Sequence, residues 1–208
     1  MTSSLRFSAF LLSCVLSTLG SASAQQAPAP LLADASVGAP PADIRLFDPA
    51  HTRFGFELRT RWGQRVAGEF PKYEGEVTHL PDGRHKVRIV LATAGVVVSD
   101  SPRYTTVARG PSFFDAARFP YIEFVSDPHP ESLIRTGGRM RGRLSMHGVS
   151  RVETFYLDPA ECDTPGKDCD VVASGSISRD DYGLDGWHFA LVDRVRFSLR
   201  VRVLEPTP

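Results

Sequence analysis

Over residues 194–203 the chain reads Arg-Val-Arg-Phe-Ser-Leu-Arg-Val-Arg-Val, apolar at every odd position and polar at every even one. Successive side chains of a strand point to opposite faces. The stretch therefore predicts a strand with Val195, Phe197, Leu199, Val201 and Val203 on one face and four arginines on the other. Phe54, Phe56 and Leu58 alternate with Arg53, Gly55, Glu57 and Arg59 in the same way, and residues 139–146 repeat the pattern. Residues 66–70, 73–78, 86–89, 121–124, 152–157 and 171–179 complete a set of eight or nine strands. Turn signals separate them at Trp62-Gly63, Pro81-Asp82-Gly83 and Thr136-Gly137-Gly138. No long helical period is present, and one short helix is expected over 111–118, with Asp115 as its cap. Strands that are apolar on one side and wet on the other must close on each other, through links too short for crossover helices. The fold class is all-β: an antiparallel barrel or sandwich of about eight strands with a short helix. A barrel of that size either fills its interior with side chains or holds one small ligand. The alternation is compatible with both.

Composition narrows the function. Lys+Arg and Asp+Glu are each 24, which argues against a nucleic-acid binder built on a broad basic face. Hydrophobic residues at 42% and charged residues at 23% suit a globular domain, not a disordered chain or a multi-span membrane protein. The first 24 residues read as an address: Arg6, an apolar stretch over 7–19, and Ala22-Ser23-Ala24 as an A-x-A cleavage site. A signal peptide over 1–24, cleaved after Ala24, predicts a periplasmic or secreted protein. Residues 25–43 are rich in Pro, Ala and Gly and read as a flexible linker, leaving 44–205 as the folded domain. Cys162 and Cys169 flank the turn pair Pro165-Gly166, which in an oxidising compartment predicts a disulfide. The acidic residues around that turn do not have the spacing of a calcium loop, and no metal site is expected.

Five blocks carry a resemblance. Residues 47–56 read Phe-Asp-Pro-Ala-His-Thr-Arg-Phe-Gly-Phe, and 65–70 read Arg-Val-Ala-Gly-Glu-Phe. Ser112-Phe113-Phe114-Asp115 runs on to Phe119-Pro120-Tyr121-Ile122-Glu123-Phe124. Residues 141–150 contain Gly142-Arg143-Leu144-Ser145-Met146-His147-Gly148-Val149, and Arg179-Asp180-Asp181-Tyr182-Gly183 closes the series. In this order the blocks resemble the YceI family, secreted bacterial proteins that bind polyisoprenoids and other lipids. Residues 103–110 depart from the family, which usually has an R-x-x-H-L-type stretch there, and the cysteine loop is not a family hallmark.

The resemblance implies an extended, lipocalin-like antiparallel barrel with an isoprenoid, quinone-type or other long-chain lipid in its lumen and no other cofactor. The inward positions are then the lining candidates: Phe54, Phe56 and Leu58; Val87, Ile89 and Leu91; Ile122 and Phe124; Met140, Leu144 and Met146; Phe155, Ile177 and Phe189; Phe197, Leu199 and Val201. Phe113 and Phe114 join them, either as a lid over one barrel end or as the plug of a closed core. The long Arg-decorated last strand reads as a charge-guarded sheet edge or a partner surface, which leaves room for a homodimer. Transient membrane contact fits a lipid carrier.

Two other readings stand beside the carrier. One is an exported envelope or stress protein with a filled core. The other is an exported β-barrel enzyme using His51 and His147. None of the six histidines has H-E-x-x-H or H-x-H spacing, and there is no G-x-S-x-G elbow, phosphate loop or C-x-x-C pair. The sequence therefore favours a protein that is not an enzyme, with no catalytic residues.

Overall fold

Twelve strands among the described residues form one antiparallel sheet. They are β1 (Asp43–Leu46), β2 (Arg53–Thr60), β3 (Arg65–Glu69), β4 (Tyr73–His79), β5 (Arg84–Ala92), β6 (Val97–Val98), β7 (Tyr121–Ser126), β8 (His129–Pro130), β9 (Gly138–Met146), β10 (Val149–Leu157), β11 (Val171–Ser178) and β12 (Leu191–Val201). The computed structural model describes residues 43–99 and 101–205. The expected signal peptide, and the expected linker up to residue 42, lie outside the described residues.

The strand order is β1-β4-β5-β7-β9-β10-β11-β12-β2-β3-β6, with β8 beside β5. The sheet curls until its first strand meets its longest at one end. There Phe47 bridges Val203, and the Leu204 amide donates to the Leu46 carbonyl at 2.8 Å. The nine stretches expected as strands each become one. The three unforeseen strands, β1, β6 and β8, have four, two and two residues, too few to display a period. Of the two readings of the last strand, the sheet edge is ruled out: β12 lies between β11 and β2, so its amides and carbonyls are used within the sheet.

Register explains the core. Phe54, Phe56 and Leu58 stand opposite Leu199, Phe197 and Val195, so the apolar faces of β2 and β12 coincide. Glycines on neighbouring strands seat the large rings. Phe56 lies over Gly68, Phe124 over Gly142 and Phe155 over Gly175, each where a Cβ would collide with the ring. A glycine inside a strand ordinarily weakens it, and here it lets an aromatic side chain lie flat along the wall.

The helix is not where the sequence suggested. Residues 111–118 form turns, and Asp115 caps nothing: it takes a left-handed backbone (φ 44°) and its carbonyl accepts from the Arg118 and Phe119 amides at 2.9 and 2.8 Å. The helix is instead α1 (Pro102–Arg109), with Ser101 Oγ accepting from the Tyr104 amide at 3.1 Å and proline in its first turn. Arg109 ties its end to the Val96 carbonyl through Nε and Nη2, at 3.0 and 2.8 Å. A second helix, α2 (Ser132–Thr136), is little more than one turn.

Between β10 and β11 a Cys162–Cys169 disulfide closes the loop, with the Cα atoms 6.1 Å apart. Gly166 in that loop accepts from the Val203 amide at 2.8 Å, tying the loop to the end where the sheet meets itself. A crosslink over so short a loop stabilises by about 2.5 kcal/mol in the chain-entropy model. Reduction is expected to lower the melting temperature by about 5–10 °C, measured by thermal denaturation with and without reductant. An unchanged melting temperature would mean that the Val203 tie holds the loop without the crosslink.

Candidate functional site

The interior of the curl is partitioned. At the end where β1 meets β12 lies a narrow cavity of about 180 Å³. At the other end, between α1, the β2–β3 hairpin and the segment leading into β12, lies a wide cavity of about 650 Å³. Two voids of about 30 and 10 Å³ lie between them. Ile89, Phe124, Phe155 and Leu199 separate the narrow cavity from the first void, and Phe197 separates the two voids. Phe56, Leu58 and Phe113 separate the second void from the wide cavity. The interior is thus a row of chambers with aromatic walls.

The expected lining residues are spread along this row. Val87, Met140 and Val201 border the narrow cavity, while Phe54, Leu91, Ile122 and Leu144 border the first void. Phe114, Met146 and Ile177 border the second. Phe113 and Phe114 are buried in the core, Phe113 also bordering the wide cavity. Phe189 is the exception. It is 75% exposed on the rim of the wide cavity, because residues 186–190 form turns and alternation does not reach it.

The wide cavity owes much of its wall to residues the strand pattern passes over. Val107 and Ala108 come from α1, Val98 from β6, and Trp62 from the β2–β3 turn. Residues 103–110, where the sequence departs from the family pattern, therefore build part of this cavity's wall. Trp62, Tyr104 and Phe189 are 63%, 54% and 75% exposed, an unusual concentration of aromatic surface in water. Arg65 and Arg103 also line the cavity, and no carboxylate does among the described residues. Arg65 is paired with Glu57 at 3.1 Å.

Hydrogen bonds fix the rim. Arg179 is fully buried, and its Nη1 donates to the Leu184 and Gly186 carbonyls at 2.9 and 3.0 Å. Its Nε donates to the Val192 carbonyl at 3.3 Å. Burial pulls this guanidinium below its ordinary pKa, against the pull of Asp180, Asp193 and Asp185. Tyr182 is equally buried and donates to Glu153 at 2.8 Å, and burial raises its phenol well above the usual range. On the hairpin side, the Arg61 amide donates to the Ala190 carbonyl at 2.8 Å, and Arg61 Nε to the His188 carbonyl at 2.5 Å. The segment carrying Trp187 and Phe189 is thereby held against β2 and β3.

His51 and His147 do not form one site. His51 is exposed and sits 2.5 Å from Asp48, whose carboxyl its hydrogen bond holds below the usual range. Asp48 is bonded to Arg202, beyond the C-terminal end of β12. His147 lies 3.2 Å from the Tyr182 carbonyl and 4.3 Å from the Phe119 ring, near the other end of that strand. Among the described residues no three His, Cys, Asp or Glu side chains are arranged to hold a metal ion.

Three solved structures share this fold. BcnA of Burkholderia cenocepacia aligns with a TM-score of 0.62 at 17% identity, covering 76% of this chain and 99% of its own. A polyisoprenoid binding domain from Saccharophagus degradans, implicated in plant cell wall breakdown, aligns with a TM-score of 0.60 at 12% identity, covering 79% and 99%. The YceI protein of Campylobacter jejuni aligns with a TM-score of 0.51 at 18% identity, covering 67% and 85%. No curated protein is significantly similar in sequence. At these identities the structures speak for the fold alone. The sequence model of the YceI-like domain, however, matches residues 46–203, and on that match the chain belongs to the YceI-like family.

Proposed function

We propose that this protein is a non-catalytic carrier of an isoprenoid or quinone-type lipid, working in the periplasm or outside the cell, with the lipid tail in the wide cavity. The observation that carries this reading is the cavity itself. About 650 Å³ lies within the range of small-molecule sites, and its wall is mostly aliphatic and aromatic. Each methylene moved from water into such a wall gains about 0.8 kcal/mol. Ten buried carbons give on the order of 8 kcal/mol gross, before ordering costs. A tail that outgrows the cavity meets the Phe56–Leu58–Phe113 wall and must displace it to go deeper.

The rim suits transfer at a membrane. Trp and Tyr settle at the headgroup level because one end of the ring system is apolar and the other polar. Trp62, Tyr104 and Trp187 ring the mouth together with Arg103, whose charge complements anionic lipid.

The chain has two tryptophans, and both border the wide cavity. Titration with geranylgeraniol is therefore expected to shift tryptophan emission to the blue, saturably. Solvent extracts of the purified protein are expected to contain a co-purifying lipid by mass spectrometry. Unshifted emission together with repeatedly clean extracts would favour the filled-core reading, for which the small central voids already speak.

A further inference from the structure

Alternation sorts many arginines of this chain to one side of the sheet. On β9 the outward positions include Arg139, Arg141 and Arg143, and all three are exposed. On β12 they include Arg194, Arg196 and Arg200, and on β2 Arg53 and Arg59, exposed as well. The strand order β9-β10-β11-β12-β2 places these three rows on one continuous stretch of the outer surface. Small residues stand between the rows, Ser174 beside Ser198 and Ser176 beside Arg196. Among the outward positions of these five strands the one carboxylate is Glu57, and Arg65 pairs with it. Acid and base are equal over the whole chain, so the bias is local and comes from the period of two.

These charges are available to a partner. Arg141 and Arg200 approach Asp127 and Asp170 at 3.9 and 3.7 Å, and Arg53 donates to the Pro49 and Thr52 carbonyls. Arg59, Arg139, Arg143, Arg194 and Arg196 have no carboxylate partner among the described residues. Each presents a planar fork suited to phosphate. Tyr156 and Val152 stand opposite Arg139 and Arg143 in the register, and both are exposed. The face ends at the aromatic mouth. Arg59 pairs with Arg65 across the hairpin whose turn carries Trp62, and Arg194 lies early in β12, which follows the segment carrying Phe189. A soluble anionic polymer would satisfy the arginines and leave those exposed rings in water. A bilayer satisfies both, with phosphates for the guanidiniums and a headgroup layer for the rings.

We propose that the outer face of β9–β12 and β2 docks the protein on a membrane surface of anionic phospholipid, with its arginines on the phosphates and Trp62 and Phe189 in the headgroup layer. The wide cavity then opens at the bilayer along its β2–β3 side. The docking rests on the carrier reading for its purpose and not for its contacts, since the face lies outside the barrel and touches no cargo. It also gives the arginine-decorated last strand, which is no edge, a partner that its charge fits.

Co-sedimentation of the full chain with vesicles tests the inference. Vesicles of phosphatidylcholine with one-third phosphatidylglycerol are expected to bind the protein and shift its tryptophan emission to the blue. Phosphatidylcholine alone should bind it at least about fifty-fold more weakly, and salt at about 0.5 M should release it from the anionic vesicles. Each arginine near such a surface is worth about a factor of five, so Arg139→Gln, Arg141→Gln and Arg143→Gln together should lower binding about a hundred-fold. Those three side chains are exposed and border none of the cavities, so the fold should stand. Removing three charges that lie off the face, by Lys72→Gln, Arg84→Gln and Lys167→Gln, should change binding less than about three-fold. Equal binding of the unaltered protein to the two kinds of vesicle overturns the proposal, whether or not the variants fold. So does an equal loss from the two triple variants. Dextran sulfate bound through the same arginines, with tryptophan emission unmoved by anionic vesicles, would assign the face to a soluble polymer and overturn it too. Carriage is read with geranylgeraniol and no vesicles, so the two readings fail separately.

Discussion

Arg179→Met is expected to destabilise the protein by about 3–5 kcal/mol, because it takes buried donors from three backbone carbonyls. The guanidinium is fully enclosed, and three of its hydrogen bonds end on the backbone carbonyls of Leu184, Gly186 and Val192. It also lies over the Phe113 ring at 5.8 Å. Methionine fills much of the space but leaves those carbonyls without donors, at about 1–3 kcal/mol for each that water cannot reach. Arg179→Lys is expected to lose less, since an ammonium keeps the charge but lacks the planar fork that spans several acceptors. Urea denaturation followed by circular dichroism reads both. The carbonyls belong to the segment that carries Trp187 and Phe189, so the folded fraction of the methionine variant should also show altered tryptophan emission. A methionine variant within about 0.5 kcal/mol of the parent, the range of a bland surface change, would mean that the loop is held by Tyr182 and Arg61 without it.

The strands were legible where one face is dry and the other wet, most plainly in β2, β7 and β12, because a period of two survives any uncertainty in pairing. Ser101-Pro102 is a helix-start signal, but the helix it opens buries only Ala108 and shows no apolar stripe to draw attention to it. Residues 111–118 look more helical, with Phe113, Phe114, Ala116 and Ala117, yet the left-handed backbone at Asp115 breaks the run. Phe189 looks inward-facing only if the strand begins before Leu191, and the left-handed backbone of Trp187 (φ 68°) prevents that. The wide cavity itself was hidden. Empty volume arises where side chains from α1, the β2–β3 turn and the approach to β12 fail to meet, and no one-dimensional pattern records a missing contact. The arginines of β2, β9 and β12 were legible strand by strand, but that they share one surface follows only from the strand order.

Ala108→Phe is expected to abolish most lipid uptake while leaving the fold intact. Ala108 lies on the inner side of α1, 4% exposed and bordering the wide cavity, so a larger side chain there has empty space to enter. Overpacking costs arise where a site is already full, and the helix-propensity cost of the exchange is only about 0.5 kcal/mol. A phenyl ring occupies the room of about five tail carbons, worth about 4 kcal/mol gross. Allowing for partial repacking, affinity for geranylgeraniol should fall about a hundred-fold or more. The parallel change at the other end, Val201→Phe, fills the narrow cavity and should leave uptake of that lipid nearly unchanged. Neither variant adds a tryptophan, so the same emission titration reads both. If Val201→Phe blocked the lipid and Ala108→Phe did not, the tail would occupy the narrow cavity and the aromatic mouth would serve something else. If both blocked it, the walls formed by Phe56, Phe113, Phe124 and Phe155 must swing aside together to open one continuous bore. The glycine seats beneath Phe56, Phe124 and Phe155 would then be the places where the rings pivot, since nothing larger than hydrogen lies under them.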